Sequence, residues 1–167
     1  MIDYVHGHSQ TVAHFVASLI PHCRRGFGDN AKAIGIIDNE GRLIAGIVYH
    51  NWDPDSGIIE ISGAAIPGKY WLTRETIRRM YQYPFLQLGC QMVVQRTPAD
   101  ATRLLGMLAA YDYTLIPMPR LFGRERDGVI CCLTKEAWAA NRFNQRFRHH
   151  EANNATVPAA AGLLPAA

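Results

Sequence analysis

Apolar positions recur along this chain in two different periods, and the switches between the periods mark its elements. Val12, Phe15, Val16, Leu19 and Ile20 fall at i, i+3, i+4, i+7 and i+8, the stripe of an amphipathic helix, with Ser9 as its cap and Pro21 as its stop. Two apolar runs over 33–37 and 42–50 are separated by Asp38-Asn39-Glu40-Gly41, which predicts a hairpin closed by a Gly-containing loop. The run 58–66 predicts a central strand, broken at Pro67-Gly68 and followed directly by a helix over about 72–83. In that helix Thr73 is the candidate cap, Leu72, Ile77, Met80 and Tyr81 face inward, Arg74, Arg78 and Arg79 face water, and Pro84 ends it. A strand over 90–96 leads to the strongest local signal of all: Thr97 as cap, Pro98 at the first helical position and Asp100 three residues on, with Leu104, Leu105 and Leu108 on one face. Gly106 inside that helix costs about 1 kcal/mol relative to alanine, which suggests close approach by a strand or ligand. Strands over 114–118 and 128–133 bracket a basic loop, 119–127, and a last helix opens at Thr134 and carries Trp138.

The resulting order is strand, helix, three strands, helix, strand, helix, two strands, helix. It predicts a mixed α+β fold with one central, mostly antiparallel sheet of six to seven strands flanked by helices. Length and composition agree: 167 residues that are 49% hydrophobic can bury one full core, which predicts a single domain over 1–148. The stretch 149–167 is Ala/Pro-rich without periodicity and is expected to be a disordered tail. Neither a leader-like N-terminus nor a membrane-length apolar run is present, so the expected setting is the cytoplasm. Cys23, Cys90, Cys131 and Cys132 lack metal or redox spacing; adjacent strand residues point to opposite faces, so mostly buried, reduced thiols are expected. Of 17 basic residues only Lys32, Lys69 and Lys135 are lysine. An arginine excess suits phosphate or carboxylate binding through the planar fork, although base composition of the genome is the favoured explanation.

The order of elements resembles that of the GNAT superfamily of acyl-CoA-dependent N-acetyltransferases, over roughly 31–133 plus the first helix. In that family the fourth strand ends in an apolar-x-Pro step, matched here by Ala65-Ile66-Pro67, and runs into an Arg/Gln-x-x-Gly-x-Gly/Ala loop. The loop departs from the pattern: Gly68 remains, while Tyr70, Trp71, Leu72 and Thr73 stand where the arginine and glycines would fall. Such glycines let backbone N–H groups reach phosphate oxygens at a helix N-terminus. A second departure is Leu108, at the position where many members carry a tyrosine that protonates the leaving thiolate. The Tyr-Trp-Leu-Thr-Arg loop resembles that of short acetyltransferase-like proteins of bacteriophages and prophages.

What the resemblance implies is acetyl transfer from acetyl-CoA, without a metal, directly to a primary amine on a small molecule or a protein. Gly63, Ala64, Ala65 and Ile66 would line the slot for the pantetheine arm in a splay between the fourth and fifth strands, with one backbone amide as oxyanion donor, worth about 2.7–4 kcal/mol. Gly68, Lys69, Tyr70, Trp71, Leu72 and Thr73 would hold the pyrophosphate. Small residues in the strand can equally be there to fit a helix packed above. Glu60 is the candidate base: a lone carboxylate among Ile58, Ile59 and Ile61 is costly to bury and, once desolvated, accepts a proton more readily. A solvated edge or a salt bridge to arginine is its alternative. Tyr111 and Tyr113 are the hydroxyls nearest to the missing acid, and either also suits a core or rim aromatic. Trp52 could wall an acceptor pocket or close the core, and His6-x-His8 lacks a third metal ligand.

Two other function classes compete. A GNAT-fold protein that has lost the loop glycines and the acid could serve binding or assembly without catalysis. Nucleic-acid binding through the arginines at 120–126 and Arg142, Arg146 and Arg148 is weakest, because net charge is only +3. No membrane partner is implied, and a homodimer is left open.

Overall fold

In the computed structural model, which describes residues 1–144, the chain runs β1 (Ile2–Val5), α1 (Ser9–Leu19), β2 (Lys32–Asp38), β3 (Leu43–Asp53), β4 (Ile58–Ala65), α2 (Arg74–Gln82), β5 (Met92–Pro98), α3 (Thr102–Ala110), β6 (Thr114–Met118), β7 (Gly128–Thr134) and α4 (Lys135–Ala140). The strands form one seven-stranded mixed sheet in the order β1-β2-β3-β4-β5-β7-β6. Every neighbouring pair is antiparallel except β4 and β5, which are parallel. The expected α+β class and single sheet are what the chain forms. The expected tail 149–167, with the far end of the predicted domain, Arg146, Arg148 and the His149-His150 pair, lies outside the described residues.

Alternation along the strands divides the sheet into two unlike faces. On one, α1 lies across β2, β3 and β4, with Val12, Ala13 and Val16 packed against Ala33 and Val48. The helix sits low because β2 and β3 carry Gly35 and Gly46 beneath it: a Cβ at Gly46 would lie 2.6 Å from Val16 Cγ2 and 2.7 Å from Val12 Cγ1. On the other face Ile34, Ile36, Ile47, Ile59, Ile61, Val93 and Leu133 meet Tyr81 of α2, Phe85, Leu108 of α3 and Trp138 of α4 in the main core. Each such aliphatic side chain, taken fully out of water, stabilises the fold by about 1.5–3 kcal/mol.

Three local expectations are corrected. Ser9 opens α1 without capping it; its hydroxyl accepts the Ala33 N–H at 3.1 Å and so ties the helix to β2. Thr97 and Pro98 belong to β5, and α3 begins only at Thr102, with no side-chain cap. The reason is tertiary: Thr97 pairs with Val129 and Pro98 with Gly128 on β7, and Thr97 is buried. Proline fits there because the Ala99 N–H donates to Asp127 O, so the Pro98 nitrogen faces the other way, toward a side where β5 has no ladder partner. Thirdly, α2 ends at Gln82, and Pro84 sits inside a π turn, Tyr83–Gln87, that continues the helical path. All four cysteines are free; Cys90 and Cys131 are buried, whereas Cys23 and Cys132 are half-buried.

Candidate active site

Parallel pairing of β4 with β5 covers only Ile58↔Met92, Ile59↔Val93 and Glu60↔Val94. Beyond that point both strands continue, β4 to Ala65 and β5 to Pro98, but they part. Each keeps its other neighbour: β4 stays paired with β3 through Ala45↔Ala65, and β5 stays paired with β7. The result is a wedge-shaped gap in mid-sheet. Ile66 N–H donates back to Ile44 O on β3; by alternation the N–H groups of Gly63 and Ala65 point away from β3, into the gap. Two backbone donors, those of Gly63 and Ala65, therefore face the gap, and the amide of Ala64 faces β3. Small residues at Gly63 and Ala65 leave those donors uncovered.

The two faces offer different chemistry to whatever enters this gap. Toward α2 and α3 a cavity of about 140 Å³ is lined by Ile61, Gly63, Trp71, Gln95, Leu108 and Tyr111 among others. Trp71 packs over the strand, its Cη2 lying 3.6 Å from where a Cβ on Gly63 would be. A larger residue at 63 would displace the indole.

The loop leaving β4 is arranged by its own hydrogen bonds. Gly68 occupies the turn with φ of +79°, a left-handed conformation that suits glycine. The Lys69 N–H donates to Ile66 O and the Thr73 N–H to Trp71 O. Thr73 and Thr76 form a reciprocal capping box, and the Thr76 hydroxyl donates to Trp71 O at 2.7 Å. Part of the anion-binding capacity of the α2 N-terminus is therefore already used internally, and Glu75 adds a negative charge in the first turn. That charge is offset by Arg78 and Arg79, whose guanidinium groups donate to it and hold its carboxyl below the usual range. Lys69 Nζ lies 4.0 Å from Asp38 of the β2–β3 turn, and Tyr70 stands exposed.

On the α1 face the same strand is polar. Glu60 is largely covered and accepts from Arg96 Nε of β5 at 2.6 Å and from Asn51 Nδ2 at 2.9 Å. Its antiparallel partner across β3 is His50, a buried imidazole whose Nδ1 lies 3.9 Å from Glu60 Oε2 and whose Nε2 lies 3.0 Å from Ser62 Oγ. Burial pushes the His50 pKa below its ordinary value, against the pull of Glu60. The segment between α1 and β2 overhangs this group: Phe27 packs on His50 with ring centroids 4.7 Å apart, and His22 packs on Phe122 at 4.4 Å. His22 is also shifted down, by partial burial and then by Arg126 and Arg96, and burial shifts the Cys23 thiol up.

The expected catalytic residues thus divide. Glu60 lies at the gap, already engaged by the arginine that was its alternative reading. Tyr111 borders the apolar cavity, with a pKa raised to about 12 by burial. Tyr113 is deeper, its hydroxyl 2.8 Å from that of Tyr81 and its pKa driven up by desolvation. Leu108 is buried and lines the cavity. Trp52 is half exposed beside Phe27 and His50 at the end of β3. Sequence reasoning passed over His50, Ser62, Asn51 and Arg96. A period-2 reading of Glu60-x-Ser62 places those two side chains on one face, but only the register of β3 reveals what stands opposite.

No family model matches the sequence, and no curated protein does. The fold does have solved counterparts. Spermidine N-acetyltransferase of Vibrio cholerae, in a dodecameric intermediate state, matches with a TM-score of 0.60 at 14% identity over 67% of this chain and 70% of that one. The manganese complex of the spermidine/spermine N-acetyltransferase SpeG from the same organism gives 0.64 at 12% identity over 83% and 94%. A further structure described as an acetyltransferase gives 0.61 at 15% identity over 74% and 68%. At these identities what is shared is architecture: the chain has a GNAT-like fold, a mixed seven-stranded sheet flanked by helices.

Proposed function

We propose that this protein is an acyl-CoA-dependent N-acetyltransferase that moves the acetyl group of acetyl-CoA directly to a primary amine. The observation that carries this reading is the gap between β4 and β5, with apolar space on one face, a polar group around Glu60 on the other, and the Gly63 and Ala65 amides between. The pantetheine arm is assigned to the gap and the Trp71 side, where Ile61, Trp71 and Leu108 line a mainly apolar cavity. The pyrophosphate is assigned to the turn at Gly68 and the start of α2, a weaker fit because several amides there are already bonded. The acceptor approaches from the α1 face. There Glu60, held in place by Arg96 and Asn51, takes the ammonium proton directly or through a water.

The solved counterparts named as spermidine acetyltransferases suggest an amine acceptor in general. A second reading is favoured by Leu108 and by the bonded loop: an acyl-CoA-binding protein that does not turn over. A thermal shift with acetyl-CoA comes first. Ligand at about 100 times its dissociation constant adds about 2.7 kcal/mol, several degrees in a domain of this size. No shift at millimolar acetyl-CoA would reject both readings, and a shift without acetylation across a broad amine screen would select the second.

A further inference from the structure

We propose that Ser62 is an acyl acceptor, activated by His50, which gives the protein a second activity: hydrolysis of the acyl thioester through an acetyl-serine when no amine is bound. The proposal rests on the acyl-CoA reading above and adds a covalent step to it.

Three side chains on the α1 face carry the inference. Glu60 and Ser62 are two apart on β4 and therefore share a face, and His50 is paired with Glu60 across the ladder. The imidazole reaches diagonally, so that Nε2 lies 3.0 Å from Ser62 Oγ while Nδ1 faces Glu60 Oε2 at 3.9 Å. The carboxylate favours the tautomer with its proton on Nδ1, which leaves Nε2 as the acceptor of the serine proton. Nucleophile, base and orienting acid thus occur in the order that activates a hydroxyl. Burial keeps the imidazole neutral near pH 7, as a base must be. Arg96 and Asn51 in turn fix Glu60. Ser62 lies between Ile61 and Gly63 on the strand that borders the gap, one residue before an amide that points into it.

The chemistry closes. The Ser62 hydroxyl oxygen bonds to the thioester carbonyl carbon while His50 Nε2 takes the hydroxyl proton, and the oxyanion is received by the Gly63 or Ala65 N–H. The carbon–sulfur bond then breaks, and the proton on Nε2 passes to the departing sulfur, which leaves as the free thiol of coenzyme A. Water attacks the acetyl-serine, His50 removes its proton and returns it to the Ser62 oxygen, and acetate is released. No other reactant is needed. The same proton on Nε2 supplies the acid that Leu108 cannot.

The test needs no knowledge of the acceptor. The purified protein is mixed with acetyl-CoA alone; thiol release is followed, and acid-quenched samples are analysed by intact mass and peptide mapping. Expected are slow thiol release and one acetyl group on Ser62, both lowered about 10²–10⁴-fold in Ser62→Ala and His50→Gln, with acetyl-CoA binding by calorimetry unchanged. Ser62→Cys, nearly isosteric, should regain acetyl capture and guards against a fold defect in the alanine variant. Binding without thiol release, release that survives Ser62→Ala, or acetyl found on Cys23 instead would overturn the proposal while leaving the acyl-CoA reading intact. If acetyl-CoA does not bind, that reading fails, and p-nitrophenyl acetate decides the serine separately: His50-dependent acetylation of Ser62 sustains its reactivity, and none refutes it.

Discussion

The two faces of β4 differ by a single residue step and in almost everything else. Ile59, Ile61, Gly63 and Ala65 face α2 and α3, in a region held by aliphatic and aromatic packing. Glu60 and Ser62 face the α1 side, where hydrogen bonds to His50, Asn51 and Arg96 replace that packing. One face is packed and apolar, the other is hydrogen-bonded and polar, and the gap beside β5 lies between them. A reaction that needs both, an apolar arm on one side and a proton acceptor on the other, has its parts brought together by strand alternation alone. On this face α1 packs over Ala33, Gly46, Val48 and Ala64, and Phe27 of the α1–β2 segment packs on His50.

The largest expected effect tests whether the polar face does the chemistry. Glu60→Gln should keep the fold and acetyl-CoA binding, since the amide can still bond Asn51, while lowering amine acetylation by about 10²–10⁴-fold. Steady-state rates across the pH profile decide it, and unchanged rates would remove Glu60 as the base. Next is the apolar face, where Tyr113→Phe removes one hydroxyl of the buried Tyr81–Tyr113 pair. Leaving the Tyr81 oxygen without that partner should cost about 1–3 kcal/mol of stability in urea unfolding. The rate per folded molecule should not change. A fall in turnover without a fall in stability would instead make Tyr113 the missing acid and erase the division between the faces.

Much of this division was legible in the chain, because its two causes are local and periodic. The order of elements follows from switches between periods of 3.6 and 2, and Glu60 announces itself as the one charge in an apolar run. What sequence could not show depends on pairing. Thr97-Pro98 carries a strong helix-start signal, yet the β7 ladder and the loss of β4 as a partner make it strand. His50 lies at the end of an apolar run and looks like a core or rim residue until register sets it opposite Glu60. The place where β4 and β5 part is likewise a property of three strands at once, and no window along one of them contains it.

A smaller effect probes the end of the apolar face, where β4 turns toward α2. Gly68→Val forces a β-branched residue into a left-handed turn, about 1–2 kcal/mol of strain that the loop relieves by moving its amides. Acetyl-CoA should bind roughly tenfold more weakly. Lys69→Ala should change affinity far less, because its charge is half exposed, screened, and already shared with Asp38. Equal, negligible effects of the two in calorimetry would show that the loop is not the phosphate site.

The smallest effect returns to the polar face and follows from His50. Its pKa in the folded protein is lowered by burial, so below the ordinary imidazole value of 6.5 the unfolded chain binds the proton that the folded chain resists. The stability contributed by keeping His50 neutral is therefore fully present above pH 6.5 and is lost as pH falls from there through the depressed folded value. Thermal midpoints measured from pH 8 down to 5 should show wild type losing stability over the acid half of that range. His50→Gln, which cannot titrate, should start lower at pH 8 because the Ser62 contact is altered, and should then decline less steeply. The neighbouring groups sharpen the sign: Glu60 would stabilise a protonated imidazole, whereas Arg96 opposes it, and Glu60 is itself held by Arg96. An Arg96→Gln variant should accordingly let His50 accept a proton at higher pH and flatten the acid slope. If instead wild type and His50→Gln decline in parallel, the imidazole is not held neutral by its surroundings, and the two faces of β4 do not differ in how they treat a charge.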